Sequence, residues 1–366
     1  MLKRLIYYIL ERRHHWRQLT FSEVAELYAS RTLRVFALSM VTVFVGIYLY
    51  KNGYSVTFIM LYFAGYFLFR ALLAIPLSHV IARIGPKHTS LISNFLYVPA
   101  LLLLVTVPDH GLPALLAAGF FQAISVTLYD IAYLVDFSKV KHDEHAGKEL
   151  SYMHMLEQVA KGLSPVIGGF IAYWAGPQVT LFVAAVVFAL AALPLFFTPE
   201  PIKTRQQITF RGLPWHLITK NLVSEAAIGA DIIASTILWS LLIAIGIFGT
   251  DGNAIYAQIG VLSAVTVLVG IASARIFGLL VDHRRANELL KTSVIVDSLT
   301  HIGRVMVATP FGVVLINIIN EIATTGYVIP YSKAMFMQAD NLPGYRIVYM
   351  SVMSASAASG AAIMCI

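Results

Sequence analysis

Eleven apolar stretches, each long enough to cross a lipid bilayer, follow one another through almost the whole 366-residue chain. A helix needs about 20 mostly apolar residues to span a hydrocarbon core of roughly 30 Å. Hydrophobic residues make up 58% of the chain and charged residues only 12%, and no soluble domain of this length could bury so much apolar surface. The sequence therefore predicts an all-α, polytopic membrane protein. Its predicted spans are 32–50, 56–82, 88–107, 113–137, 151–175, 178–198, 222–248, 254–281, 289–307, 311–333 and 344–366.

Basic residues fall in every second gap between these spans. Because Lys and Arg concentrate in the cytoplasmic loops of membrane proteins, the alternation places the N-terminus in the cytoplasm. The intervening gaps carry few charges, among them Lys51, Asp109 and Asp251. The net charge of +7 is a property of the cytoplasmic loops and does not indicate nucleic-acid binding. We expect multi-pass insertion in the cell membrane, and the short loops favour a bacterial inner membrane.

The longest gap, 199–221, is the natural cytoplasmic linker between two bundles. It separates six spans within residues 32–198 from five spans within residues 222–366. Ahead of the first span, residues 1–31 combine Leu, Ile, Tyr and Trp with Arg and His. That mixture is typical of an amphipathic helix lying on the cytoplasmic leaflet.

A short internal repeat supports two related bundles. Residues 133–139, YLVDFSK, end the fourth span, and residues 327–333, YVIPYSK, end the tenth, six spans later. An odd number of spans leaves Ile366 on the far side, inside an apolar run. We therefore expect a truncated chain that lacks a twelfth span, with a natural odd-span protein as the alternative.

The loop after the eighth span reads GLLVDHRR, from Gly278 to Arg285. It resembles the signature of the major facilitator superfamily, in which a span ends in Gly-x-x-x-Asp before a short basic turn. Gly278 would let a neighbouring helix approach closely, and Asp282 could pair with Arg or cap a facing helix. With Arg284 and Arg285, these residues would form a latch that closes the cytoplasmic side. Ordinary positive-inside topology is the alternative.

The loop after the second span contains a weaker copy of the same signature. Ser78 replaces the glycine and Ala82 replaces the aspartate, so only the basic turn of Arg83, Gly85 and Lys87 remains. A charge latch in the first half is therefore in doubt.

The fifth span contains SPVIGG, which resembles the Gly-Pro-x-x-Gly-Gly segment common in antiporters of this superfamily. Pro165 removes a helix hydrogen bond, and Gly168 with Gly169 permits close packing. Ser164 departs from the pattern, which weakens the antiporter implication. A generic packing face is the alternative.

The resemblance covers essentially the whole chain and has consequences for fold and function. It implies two pseudo-symmetric bundles that rock around a cavity near the middle of the membrane, so that the cavity opens to either side in turn. It implies a transporter of small solutes and no enzymatic activity.

Ionisable side chains inside the spans are the candidates for substrate binding or coupling, because a charge in the membrane interior costs several kcal/mol. These candidates are Arg70, Asp130, Glu157, Lys161, Asp231 and Glu321. Glu157 and Lys161 lie four residues apart and can pair on one helix face. Whether that pair is structural or meets a substrate or proton stays open.

The other ionisable residues carry similar alternatives. Arg70 either neutralises Asp130 or Glu157 within the first bundle or binds an anionic substrate group. Asp297 and His301 are also four apart and could relay protons, because histidine titrates near physiological pH. We favour a structural pair because the ninth span usually packs at the periphery in this superfamily. Glu321 is the best single candidate for a proton carrier, because burial raises the pKa of an acid towards neutrality. Asp231 is a candidate gate, with solvation at the mouth of the cavity as the alternative.

The sequence thus predicts a secondary active transporter that moves a small solute, with proton coupling as a hypothesis. An uncoupled facilitator of the same fold is the first alternative. A membrane enzyme would need the cluster at 142–145, HDEH, and a sensor would bind ligand without flux. The expected partners are a small-molecule substrate, the lipid bilayer and, if coupled, protons. The chain is expected to act as a monomer, without nucleic acid, cofactor or metal.

Overall fold

The computed structural model describes residues 20–140, 146–196, 208–249, 252–282, 285–342 and 344–366. Within these ranges, eleven long helices follow one another without strands, one for each predicted span. They are α1 Thr20–Lys51, α2 Val56–Ile84, α3 Pro86–Val105, α4 Val107–Val140, α5 Ala146–Ala175, α6 Pro177–Ala192, α7 Trp215–Phe248, α8 Ala254–Asp282, α9 Ala286–Arg304, α10 Pro310–Asp340 and α11 Arg346–Met364. A 3₁₀ turn, Leu193–Phe196, extends α6.

Nine helices in the described part of the chain are long and apolar enough to cross a membrane. The other two, α5 and α9, carry more charge. Glu157 of α5 and Asp297 of α9 have partners inside the protein, so their charges do not face lipid. The predicted all-α, polytopic architecture is confirmed.

Helix α1 starts earlier than the sequence analysis expected. It begins at Thr20, whereas the predicted span begins at 32. The additional turns contain charged side chains, but Glu26 pairs with Lys87 at 2.9 Å and Arg31 pairs with Glu157 at 2.7 Å. These ion pairs let the helix continue into the protein with its charges compensated. The predicted amphipathic segment falls mostly on residues 1–19, outside the described part.

A single residue joins α2 to α3. Gly85 has φ 102°, a conformation that side chains with a Cβ rarely adopt, and its N–H donates to the carbonyl of Ile81 at 2.8 Å. Pro86 then opens α3, where its missing N–H leaves nothing unpaired. The chain therefore reverses direction within one residue.

The packing of the first six helices recurs in the last five. Helix α1 packs on α5, α2 on α4, and α3 on α4; six helices later, α7 packs on α11, α8 on α10, and α9 on α10. Two further contacts, α2 with α11 and α5 with α8, join the two sets. This is the pattern that an internal repeat would generate. The boundaries at 32–198, 199–221 and 222–366 stay a prediction.

Two apolar clusters occupy the two ends of the molecule. We call the end that carries the chain between α6 and α7 the basic end, and the other the opposite end. At the basic end the cluster joins α2, α4 and α5 to α10 and α11. At the opposite end it joins α1–α4 and α6 to α7, α8 and α11. Both ends therefore contain apolar contacts between the first six helices and the last five.

Candidate functional site

Polar and charged side chains form a layer between the two apolar clusters. Along α2, Arg70 lies between Phe67 of the opposite-end cluster and Ala74 of the basic-end cluster. Along α7, Asp231 lies between Ile218 of the basic-end cluster and Ile233 of the opposite-end cluster. Both residues thus lie midway along apolar helices, and in transporters built from repeats such positions are where substrates and coupling ions bind.

One group in this layer joins α1, α5 and α10, and we call it the midplane cluster. Its members are Arg31, His154, Glu157, Gln158, Lys161, Glu321 and Thr325. Arg31 Nε donates to Glu157 at 2.7 Å, and its guanidinium lies 4.6 Å from the centre of the Tyr133 ring. Lys161 Nζ is 3.8 Å from the other Glu157 oxygen. Two cations therefore lie beside the Glu157 carboxylate, and the predicted partner, Lys161, is more distant than Arg31.

Glu321 of α10 connects to α5 through neutral groups. Gln158 donates from its amide nitrogen to Glu321 at 2.5 Å and to His154 Nε2 at 3.0 Å. Thr325 donates to the same Glu321 oxygen at 3.2 Å. Since the His154 nitrogen accepts, this imidazole is neutral in the arrangement. None of the described cations forms an ion pair with Glu321.

Arg70 pairs with Asp130, one of the two acids that the sequence analysis considered. Arg70 Nη2 donates to Asp130 at 2.7 Å, joining α2 to α4. The Arg70 side chain is 13% exposed, and the Asp130 side chain is 36% exposed. The two charges therefore cancel each other within the first six helices.

A second network joins α7, α9 and α10. Asp231 accepts hydrogen bonds from His301 at 2.7 Å, from Ser235 at 3.1 Å, and a short one from Tyr327. Asp297 is 3.6 Å from His301, so the predicted pair is the weaker contact of this imidazole. Asp231 is thus held by three donors near the middle of α7.

Arg304 completes the second network and determines which ring nitrogen of His301 carries the proton. Arg304 donates to His301 Nδ1 at 3.1 Å, and a guanidinium cannot accept a hydrogen bond. His301 Nδ1 therefore carries the lone pair, and Nε2–H donates to Asp231. Ligand atoms of Asp231, Asp297 and His301 lie within 4.8 Å of one another, as in a metal site. The positive charge of Arg304 beside them would repel a metal cation. The three side chains already have hydrogen-bond partners within the protein.

Three arginines of this layer were not predicted from the sequence: Arg31, Arg34 and Arg304. Arg34 is fully buried, donates to Asn94 at 2.7 Å and lies 3.8 Å from the centre of the Tyr129 ring. A charged residue inside an apolar span was the available signal for Arg34 and Arg304. Arg31 lay one residue outside the predicted first span, and only the longer helix reveals it.

The basic turns of the predicted latch have different environments. Lys87 is buried and pairs with Glu26 of α1 at 2.9 Å, whereas Arg83 is exposed. In the second copy, Gly278 is buried in α8 and Arg285 is exposed. The side chain of Asp282 and all of Arg284 lie outside the described residues. So does the cluster at 142–145 that an enzyme would need.

The fifth-span motif packs α5 against three helices. Ser164 donates a short hydrogen bond to the Phe36 carbonyl of α1, and Thr180 of α6 donates to the Gly168 carbonyl at 3.0 Å. A Cβ on Gly169 would lie 2.4 Å from the Tyr256 carbonyl of α8. In α8, Gly260 makes the reciprocal close approach, since its Cβ would lie 2.3 Å from the Pro165 carbonyl.

Polar contacts also join the two sets of helices at both ends. At the basic end, Arg346 of α11 donates to Ser138 of α4 at 2.9 Å, and the Phe137 and Phe336 rings are 5.3 Å apart. At the opposite end, Lys51 donates to Asn253 at 3.2 Å and to the Gly252 carbonyl through a short bond. The midplane cluster therefore lies between two layers of contacts.

Comparison with solved structures identifies the fold. The human organic anion transporter MFSD10 (TETRAN) matches with a TM-score of 0.73 at 11% identity, over 94% of this chain and 92% of that chain. The E. coli fucose:proton symporter FucP matches with a TM-score of 0.68 at 12% identity, over 95% and 91%. FucP in the outward conformation matches with a TM-score of 0.66 at 13% identity, over 93% and 90%. Identities this low show the fold alone.

Comparison at the sequence level identifies the family. No curated protein matches the sequence significantly. The family profile described as Major Facilitator Superfamily, however, matches residues 27–364, nearly the whole chain. The resemblance found in the loop motifs is confirmed by this match and by the fold. The chain belongs to the major facilitator superfamily of membrane transporters.

Proposed function

We propose that this protein is a secondary active transporter that moves a small solute by alternating access. The observation that supports this most directly is the hydrogen bond between Gln158 of α5 and Glu321 of α10. It joins the first six helices to the last five near the middle of the membrane, where a solute could compete with it. Relative motion of the two sets would break and remake this contact.

Contacts at both ends support alternating access. A passage to one side requires that the contacts at that end break while those at the other end hold. Arg346 with Ser138 closes the basic end, and Lys51 with Asn253 closes the opposite end. We infer that the basic end faces the cytoplasm of a cell whose plasma membrane holds the protein, because Lys and Arg concentrate there. Each chain encloses its own midplane cluster, which supports a monomeric transporter.

Replacing Arg346 with alanine should open the basic end more often. The hydrogen bond to Ser138 involves a charged donor, so its loss should raise the open population by about tenfold. A cysteine placed at Met153, which is buried in the basic-end cluster, would report this in a Cys365→Ser background. Its labelling rate with a membrane-impermeant thiol reagent should rise by the same factor. Lys220→Ala, which removes an exposed basic residue at that end from the start of α7, is the control. Equal rates in the R346A and control backgrounds would contradict the gate.

We further propose that transport is coupled to protons and that Glu321 carries the proton. Its carboxylate is surrounded by neutral donors from Gln158 and Thr325, so either protonation state can keep hydrogen bonds. Movement of α5 away from α10 would remove the hydrogen bond that Gln158 donates to Glu321. The affinity of Glu321 for a proton would then change. The fucose:proton symporter FucP has the same fold, so the fold is compatible with coupling.

Glu321→Gln should abolish accumulation but retain exchange. In proteoliposomes with an imposed pH gradient, uptake by the variant should fall to the equilibrium level, because glutamine cannot carry a proton. Exchange of labelled for unlabelled solute across equal pH should continue. Glu288→Gln, exposed in the first turn of α9, is the matched control. Accumulation by E321Q at the wild-type level would exclude Glu321 as carrier, and a wild type that only equilibrates solute would indicate an uncoupled facilitator.

A further inference from the structure

Lys161 is an exposed lysine on the interior face of α5. The lipid-facing side of this helix is a stripe of exposed apolar residues that includes Leu156, Val159 and Leu163. At about 100° per residue, Lys161 lies roughly 140–160° around the helix from each of them. Its side chain is nevertheless 48% exposed. That exposure is therefore to space inside the protein and not to lipid.

The Lys161 ammonium group has unused hydrogen-bonding capacity. Its nearest described partner is Glu157 at 3.8 Å, which is beyond hydrogen-bond distance. Glu157 is committed to Arg31 by a hydrogen bond of 2.7 Å. An ammonium has three donors, and among the described residues none of these has an acceptor. A ligand that enters the interior space would find these donors available.

The charges around Lys161 favour an anion. Arg31 from α1 and Lys161 supply two positive charges, and Glu157 supplies one negative charge. His154 is neutral, as its hydrogen bond from Gln158 requires. Tyr129 and Tyr133 of α4 are neutral phenols beside Arg31. The remaining titratable group of the midplane cluster is Glu321 of α10, which accepts a hydrogen bond from Gln158, three residues before Lys161 on α5. With Glu321 protonated, the cluster therefore carries one excess positive charge.

We propose that Lys161 binds the anionic group of the transported solute, a small organic anion with a carboxylate or similar group. This inference rests on the proposed transport function and names the class of its substrate. An ionised Glu321 would repel an anion bound in the same cluster, so protonation of Glu321 favours anion binding. Solute and proton would then bind together, as symport requires.

Binding to the purified protein tests the substrate class without any need for flux. The probes are benzoate, hexanoate, succinate and benzenesulfonate, compared with benzamide, hexanamide and benzylamine. Thermal unfolding in detergent should shift upwards with at least one anion and not with its neutral or cationic counterpart. For benzenesulfonate, which stays ionised, the shift should be larger at low pH than at neutral pH, and Glu321→Gln should show the large shift at neutral pH as well. A panel in which only amides or amines bind, or in which nothing binds, overturns the inference.

Variants of Lys161 identify the site. Lys161→Gln should weaken binding of the active anion by about tenfold or more, the usual value of hydrogen bonds to a charged group. Lys161→Arg keeps the charge and should retain most of the affinity. Lys220→Gln removes an exposed lysine at the start of α7 and should change nothing. Equal affinity in K161Q and wild type overturns the assignment. Proteoliposome uptake is measured separately: transport of a neutral solute would leave the transporter proposal intact, whereas binding without flux would end that proposal.

Discussion

Replacing Glu157 with glutamine is expected to lower the free energy of unfolding by about 3–5 kcal/mol, the cost of leaving a buried charge without its partner. The side chains of Arg31 and Glu157 are 21% and 13% exposed, and they are 2.7 Å apart. Glutamine would leave the Arg31 charge inside the membrane without a counter-charge. Lys161 would lose the same acid. Loss of one acid therefore leaves two cations side by side.

Thermal unfolding in detergent, followed by the fluorescence of the four tryptophans, measures this loss. Glu288→Gln, which removes an exposed acid from the first turn of α9, should leave the midpoint unchanged. The double variant Arg31→Gln with Glu157→Gln removes both charges and should recover most of the lost stability. If E157Q unfolded at the wild-type midpoint, the pair would have no structural role.

Replacing Gly360 with alanine is the second change with a large expected effect. A Cβ at this position would lie 1.8 Å from the Ala226 carbonyl oxygen of α7. On the facing helix, a Cβ on Gly229 would lie 1.9 Å from the Ala357 carbonyl oxygen. Backbone atoms cannot move aside as a flexible side chain can, so α7 and α11 would have to separate. We expect a loss of about 3 kcal/mol for either alanine variant, at the upper end for overpacked sites.

Gly65→Ala is the matched control for these variants. Gly65 also lies within a membrane helix, α2, but no heavy atom is within 4 Å of a Cβ built there. Alanine at this position should leave stability unchanged or raise it by up to about 1 kcal/mol, since it stiffens the helix. The yield of monodisperse protein and the midpoint of thermal unfolding are measured for all three variants. Equal behaviour of G360A and G65A would show that α7 and α11 do not pack backbone to backbone at Gly229 and Gly360.

The spans themselves could be predicted from the sequence. A run of apolar residues must form a helix to satisfy its backbone in lipid, so each predicted span corresponds to one helix. Local chemistry also marked the turn at Gly85, where a glycine and a proline stand together between two apolar runs. Span ends were less predictable, and α1 shows why. Its charged first turns are helical because Lys87 and Glu157 compensate them, and both partners are distant in the sequence.

The candidate site was predicted as a set of residues but not as a set of contacts. The predicted contacts between neighbours on one helix do form, but their nitrogen–oxygen distances are long. They are 3.8 Å for Lys161 with Glu157 and 3.6 Å for His301 with Asp297. The shorter contact of each group comes from another helix: Arg31 for Glu157, at 2.7 Å, and Asp231 for His301, at 2.7 Å. Spacing along one helix shows which side chains can meet, but it does not show which other helix supplies a better partner.

By itself, the sequence determined that this chain crosses the membrane repeatedly, which ends of its spans are basic, and most of the ionisable side chains that lie within them. Those properties depend on the energy of single residues and short segments in lipid. Only the tertiary structure decided that Gln158 reaches Glu321 and that Lys161 is exposed inside the protein. Both depend on how α5 is rotated and which helices pack against it, and that is set by close contacts such as Gly169 on Tyr256 between residues far apart in the chain.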